Sequence, residues 1–174
     1  PSAVYGVNYH LNRPPIFRGK TVFGANDEIL IRLDYSSPVV VIGSPYLVMN
    51  VGFWKKNATF AGGSGTEYLD FSYVVDENDK SNDLGYDGIN ALHLNGSSIR
   101  RLSTIPSQDA EILLPKPGHN GSLSLETNIT INQEQARPSV VEVYSSTKDG
   151  LYGVGEVVEI FVRFARDVVV RSPG

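Results

Sequence analysis

The sequence predicts an all-β fold, a sandwich of two sheets. Three observations carry that expectation: composition, alternation of apolar and polar positions with period two, and dense turn punctuation. Its 174 residues include 20 Val against 8 Ala, with nine Tyr, seven Phe and a single Met. β-Branched and aromatic side chains fit a pleated, half-buried surface, whereas Ala and Met favour helices. Seventeen Gly and ten Pro supply the breaks that many short strands need. At 41% hydrophobic and 20% charged, the chain has enough apolar matter to bury a core. The length suits one domain, or one and part of another.

The alternation locates the strands in order. Ile29, Ile31, Leu33 and Tyr35 share one face, and Glu28, Arg32 and Asp34 share the other, the mark of a strand with one wet side. Leu47, Met49 and Val51 point inward by the same rule. So do Leu69, Phe71, Tyr73 and Val75, with Asp70 and Ser72 outward. Near residue 125, Leu123, Leu125, Ile129 and Ile131 are expected inside, and Ser124, Glu126, Asn128 and Thr130 outside. No run of ten residues carries a convincing helical period. About seven strands separated by turns point to a sandwich rather than a βαβ architecture.

Charge and residue types exclude several functions. Fifteen Lys and Arg against 19 Asp and Glu leave a net charge of -4, without the dense basic face that nucleic acid demands. The longest aliphatic run, Val39 to Ile42, is far shorter than the ~20 apolar residues of a membrane-spanning helix. The absence of cysteine removes disulfides, thiolate metal sites and cysteine nucleophiles together.

An internal repeat organises the chain. Shifted by 129 residues, Phe23 to Val41 aligns with Tyr152 to Val170, with five of 19 positions identical. The identities are Gly24 with Gly153, Ile31 with Ile160, and Val39, Val40 and Val41 with Val168, Val169 and Val170. Phe23 with Tyr152, Asp27 with Glu156 and Tyr35 with Phe164 are conservative matches. Upstream, Pro1-Ser2-Ala3-Val4 matches Pro138-Ser139-Val140-Val141 at an offset of 137, and Ser44-Pro45 is echoed by Ser172-Pro173. The expected organisation is one complete unit over residues 1–131, a polar linker over 132–137, and the first two strands of a second unit over 138–174. Two strands alone are marginal in water, so this second unit requires completion. Further sequence of a longer tandem chain would supply it, or strand complementation from another chain.

Four Asn-x-Ser/Thr sequons begin at Asn57, Asn95, Asn120 and Asn128, more than the twelve Asn would give by coincidence. Asn95 and Asn120 lie in Gly turns and Asn128 is expected outward, positions that suit N-linked glycans on a secreted protein. The most acidic stretch, Val75 to Gly88, offers Asp76, Glu77, Asp79, Asp83 and Asp87, with the amides of Asn78 and Asn82. Hard oxygen ligands at this density suit calcium. The EF-hand spacing fails, however, because Leu94 stands where a bidentate Glu is needed, and a solvated turn is the competing reading. No cofactor is otherwise required.

Catalytic signatures are missing: there is no GxSxG elbow, HExxH pair, Walker loop or dinucleotide fingerprint. Gly62 to Gly65, reading GGSG, lacks the Lys of a phosphate loop and leads into a strand, so a tight turn is expected. His93 reads as an outward strand residue. Glu67 and Asp70 have opposite strand parity, which argues against a paired acid and base. Arg100 and Arg101 are too few for a nucleic-acid patch. Trp54, beside Lys55 and Lys56 in a hairpin, is placed to stack on a sugar or to tuck under a loop.

Several segments occur in a consistent order: Gly43 to Gly52, Ala58 to Val75, Asn82 to Gly88, Ala91 to Ile99 and Leu114 to Ser124. Together they resemble the tandem immunoglobulin-like or cadherin-like repeats of very large secreted surface proteins. Such proteins include bacterial adhesins, the cyanobacterial swimming-motility surface protein and extracellular proteins of algae and other protists. The resemblance covers residues 24 to 131 and restarts in 138 to 174, with the GSGT turn leading into Tyr68, Leu69, Phe71 and Tyr73 as its most specific feature. It departs at Arg100 to Asp109 and in the insert around Leu11 to Arg18. The resemblance implies an immunoglobulin-like sandwich serving as a spacer on which functions are grafted.

The expected role is therefore structural and non-catalytic. The module would be extracellular and glycosylated, building a stalk, surface layer or filament such as a flagellar hair. Its partners would be further repeats of the chain and other chains at the cell surface, with no nucleic acid and no membrane span. The competing expectation is an adhesion module, either stiffened by calcium or binding carbohydrate near Trp54.

Overall fold

A computed structural model describes residues 4–10, 16–17, 20–102 and 108–171. Most of the insert around Leu11 to Arg18, and residues 103–107 of the segment Arg100 to Asp109, lie outside the described residues, as do Pro1 to Ala3 and Ser172-Pro173. The chain divides into two compact units, Pro1–Ala136 and Arg137–Gly174.

Among the described residues, unit 1 is all-β apart from one helical turn. Its strands are β1 (Val4–His10), β2 (Ile16–Phe17), β3 (Lys20–Phe23), β4 (Glu28–Ile42), β5 (Tyr46–Val51), β6 (Trp54–Gly62), β7 (Thr66–Val74), β8 (Gly85–Tyr86), β9 (Leu92–His93), β10 (Ser98–Arg101) and β11 (Ile129–Ile131). The turn is α1 (Leu123–Glu126). An antiparallel sheet runs in the order β1-β4-β7-β6-β5-β8, with β10 also paired to β4 and β9 to β5. A smaller sheet, β11-β3-β2, contains one parallel pair, β11 with β3. Both sheets contribute to one core, which joins Phe23, Ile129 and Ile131 to Ile31, Leu47 and Phe71.

The alternating pattern sets this core. Ile29, Ile31 and Leu33 are fully buried and Tyr35 nearly so, while Arg32 and Asp34 on the other face are half-buried. Leu47, Met49, Val51, Leu69, Phe71, Tyr73 and Val75 are buried as their parity requires. The long β4 changes partner near Pro38: residues Leu30 to Tyr35 pair with β1, and Val39 to Ile42 pair with β10. A proline has no N–H to give a ladder, so it sits naturally where pairing is handed over.

Turn chemistry fixes the hairpins. Asn95 and Gly96 both have positive φ, at 50° and 76°, and the Ser97 N–H donates to the Leu94 carbonyl at 2.8 Å. That is the left-handed two-residue turn which an Asn-Gly pair adopts most readily. The GGSG segment is the β6–β7 connection, as expected of a tight turn. Gly63 is indispensable there, because at φ +94 a Cβ would lie 2.2 Å from the Tyr68 carbonyl oxygen.

Three expectations are corrected. The segment near residue 125 is not one strand: Leu123 to Glu126 form a helical turn, and only Ile129 to Ile131 are extended. A helix rotates about 100° per residue, so Leu125 swings out to 51% exposure while Leu123 stays fully buried. Thr130, expected outside, is 5% exposed, and its hydroxyl donates to the Asn82 carbonyl at 3.3 Å. Of residues 132–137, expected to be a polar linker, 132–136 belong to unit 1. The Asn132 N–H donates to the Phe23 carbonyl at 3.0 Å, and Gln133 accepts from Ala25 N–H at 2.5 Å while donating to the carbonyls of Asp76 and Asp79 at 3.1 and 3.2 Å.

Unit 2 holds two antiparallel strands, β12 (Val140–Ser145) and β13 (Ile160–Phe164). Among the described residues no helix is long and apolar enough to cross a membrane.

Candidate functional site

The first candidate site is the β12–β13 pair. Its register repeats that of β1 with β4. Val4 lies opposite Tyr35 and Gly6 opposite Asp34, with a register shift between them. Val140 lies opposite Phe164 and Glu142 opposite Arg163, again with a shift between them. On the β4 side the offset is 129, since 164 − 35 = 129. On the β1 side the offset is 136, since 140 − 4 = 136, one less than sequence identity alone indicates. The preceding turn is repeated too. The Gly24 N–H donates to Asp27 Oδ2 at 2.7 Å, and the Gly153 N–H donates to Glu156 Oε2 at 2.5 Å.

Equivalent positions differ sharply in burial. Ile31, Leu33 and Tyr35 are at most 1% exposed, whereas Ile160, Val162 and Phe164 are 62%, 47% and 37% exposed. Val143, opposite Val162 in the ladder, extends the same apolar face. On the other face Tyr144 stacks on Phe161 at 5.2 Å, and Arg163 lies 3.4 Å from Glu142. Such a concentration of exposed aliphatic and aromatic side chains marks an interaction surface. Covering the apolar area still exposed there is favourable by roughly 25 cal/mol per Å².

All four sequon asparagines, Asn57, Asn95, Asn120 and Asn128, are exposed. Asn57 projects from β6, Asn95 from a hairpin turn, and Asn120 and Asn128 from the segments flanking α1.

The acidic loop is organised by lysines and by its own backbone. Asp79 has a side chain only 1% exposed; its Oδ2 accepts the Tyr73 hydroxyl and, at 2.7 Å, the Asp76 N–H. Its Oδ1 lies 3.8 Å from Lys56 Nζ, which is ion-paired with Asp76. Asp87 pairs with Lys55 at 2.6 Å, and Glu77 and Asp83 are exposed. The hydrogen bond to Asp76 holds the Lys56 ammonium above its ordinary value. Burial, reinforced by Asp79, pushes the Tyr73 hydroxyl up. Asp76 and Asp79 thus share Lys56 while Asp87 pairs with Lys55, so the five acids are not gathered on one point. Among the described residues no three His, Asp or Glu are arranged to hold a metal ion.

The remaining candidates have structural settings. Asp70 forms a two-pronged ion pair with Arg32 across β4–β7 at 2.8 and 2.9 Å, and the Arg32 guanidinium lies 3.8 Å over the Tyr68 ring. His93 is exposed and stacks on Tyr46 at 5.0 Å. Arg100 pairs with Asp109 at 3.2 Å. Trp54 is 64% exposed at the tip of the β5–β6 hairpin, beside a fully exposed Phe53.

Sequence reasoning overlooked Phe53, Gln133 and the pairing of Tyr73 with Asp79. An apolar residue at a two-residue hairpin tip, where polar residues are the rule, was the available signal for Phe53. The other two depend on contacts between distant segments, for which no local pattern exists. Comparison with protein-family models, curated proteins and solved structures returns no match for this chain.

Proposed function

We propose that this chain is a structural, non-catalytic module of an extracellular tandem β-array, assembling a stalk, surface layer or filament through contacts between successive modules and between chains. On this reading unit 1 is an immunoglobulin-like sandwich, and β12–β13 is the opening strand pair of a second one. The observation that carries the reading is the β12–β13 pair itself. It reproduces the bulged register and capped turn of β1–β4 yet leaves exposed the face that unit 1 buries. A sheet face and edge of this kind are completed by strands equivalent to β5 through β11, from a neighbouring module or a second chain. In such arrays each module contacts mainly its neighbours.

The extracellular setting is supported by the four exposed sequon asparagines. Glycans there would keep the outer faces hydrated and resistant to proteases.

Sedimentation velocity over a concentration series tests the reading. The chain is expected to self-associate, and Val162→Asp, which places a charge on the apolar face, is expected to return it to monomer without changing the unfolding of unit 1. A chain that stays monomeric at every concentration rules out completion by a second chain, and association indifferent to Val162→Asp overturns the role given to the β12–β13 face.

A further inference from the structure

A cleft of about 600 Å³ lies at one end of unit 1, between the β5–β6 hairpin tip and the loop following β7. The tip is a two-residue turn in which Gly52 has φ +62 and Phe53 does not, the arrangement that needs glycine at its first position. A Cβ on Gly52 would lie 2.5 Å from the Lys80 carbonyl oxygen, so the hairpin is seated tightly against the loop and the cleft is preformed.

Two kinds of group line it. Phe53 and Trp54 present aromatic surface that remains in water, Phe53 completely and Trp54 at 64%. Asn50, Asn78 and Asn82 present exposed amides whose side chains make no hydrogen bond among the described residues. Each amide carries two donors and an acceptor. Lys80 and Asp83 add one positive and one negative charge, so the lining has no net charge.

This combination selects a ligand class. An anion would call for several cations where only Lys80 is present, and a wholly apolar ligand would strand three amides at desolvation cost. A neutral sugar matches both halves, with C–H faces against the aromatic rings and hydroxyls against amide donors and acceptors. We infer that this cleft binds neutral carbohydrate, with Trp54 as the stacking platform and Asn50, Asn78 and Asn82 as the hydroxyl-reading groups. The lining residues all belong to unit 1.

Trp54 is the chain's single tryptophan, so fluorescence excited selectively at the tryptophan absorption edge, beyond the nine tyrosines, reports on the site. Titration with mannotriose, N-acetylchitotriose, cellotriose and galactotriose is expected to give a saturable change for at least one. Response to either of the first two identifies glycan cores as the source, and response to either of the last two identifies matrix polysaccharides; both support the inference. The double variant Asn78→Ala/Asn82→Ala, at exposed positions, is expected to weaken binding at least tenfold. Trp54→Ala, followed by amide chemical shifts, is expected to lose it. No saturable response to any of the four sugars overturns the inference. So does binding unchanged in the double variant, or tighter binding of sulfated than of neutral oligosaccharides.

Discussion

The Asp27 carboxylate accepts the backbone N–H of Gly24 at 2.7 Å and so closes the turn that feeds β4. The carbonyl of Gly24 accepts the Asp27 N–H in return, at 3.1 Å. Glu156 and Gly153 make the same reciprocal pair, at 2.5 and 3.3 Å. One hydrogen bond of this kind contributes about 1 kcal/mol. Asp27→Ala is expected to destabilise unit 1 by about that amount in urea denaturation, whereas Asp27→Glu, the residue of the second turn, is expected to cost less than half as much.

Asp79 should be far more sensitive. Its side chain is 1% exposed, and its removal strands the Tyr73 hydroxyl and the Asp76 N–H together. Each buried group left without a partner costs about 1–3 kcal/mol. Asp79→Ala is therefore expected to lose roughly 3 kcal/mol or more, and Lys56→Met, which removes only a solvent-screened ion pair, clearly less. Equal losses for the two variants would refute the central place given to Asp79.

Alkaline pH should unfold the protein through its buried tyrosines. Burial, the leading cause in each case, raises the hydroxyls of Tyr35, Tyr73 and Tyr86, with Tyr86 pushed up to about 12. In the unfolded chain all three ionise near the ordinary value of 10.0, so above that pH the native state holds more protons. Stability is thus intact below pH 10 and falls as pH rises from 10 toward 12. The slope is about 1.4 kcal/mol per pH unit for each tyrosine. Tyrosinate absorbance, followed beside urea midpoints, should show these three residues titrating late. A single titration of every tyrosine near pH 10 would contradict this.

The β6–β7 turn offers a paired test. Gly63→Ala forces both a positive φ and a 2.2 Å contact with the Tyr68 carbonyl, whereas Gly65→Ala, at φ +91, meets open space. The strained backbone alone costs about 1–3 kcal/mol. Chemical denaturation is expected to show Gly65→Ala within that range and Gly63→Ala clearly beyond it.

Much of unit 1 was legible because its core-facing strands have one wet side. Ile29 to Tyr35 and Leu69 to Val75 announce their buried faces by parity alone. Leu125 defeated that reading because a helical turn of four residues is too short to impose a period of its own. Thr130 defeated it because β11 is buried on both faces, so alternation carries no information there. The segment 132–136 looked like a linker because it is polar. Its polarity serves instead to satisfy backbone groups of the loop after β7, a role that depends on residues more than fifty positions away. The repeated turn at Gly153 and Glu156 was visible in sequence; the bulge after Val140 was not, since a register shift leaves no compositional trace.

Completing the second unit within one chain shows whether β12–β13 opens a module like unit 1. An offset of 129 places Arg171 at the position of Ile42, so residues 43–136 are grafted immediately after Arg171 and hydrogen exchange is followed at Ile160 to Phe164. These amides, expected to exchange rapidly in the 174-residue chain at low concentration, should gain protection comparable to that of Ile31 to Tyr35 in the grafted chain. Exchange rates at Ile160 to Phe164 unaltered by the graft would contradict this.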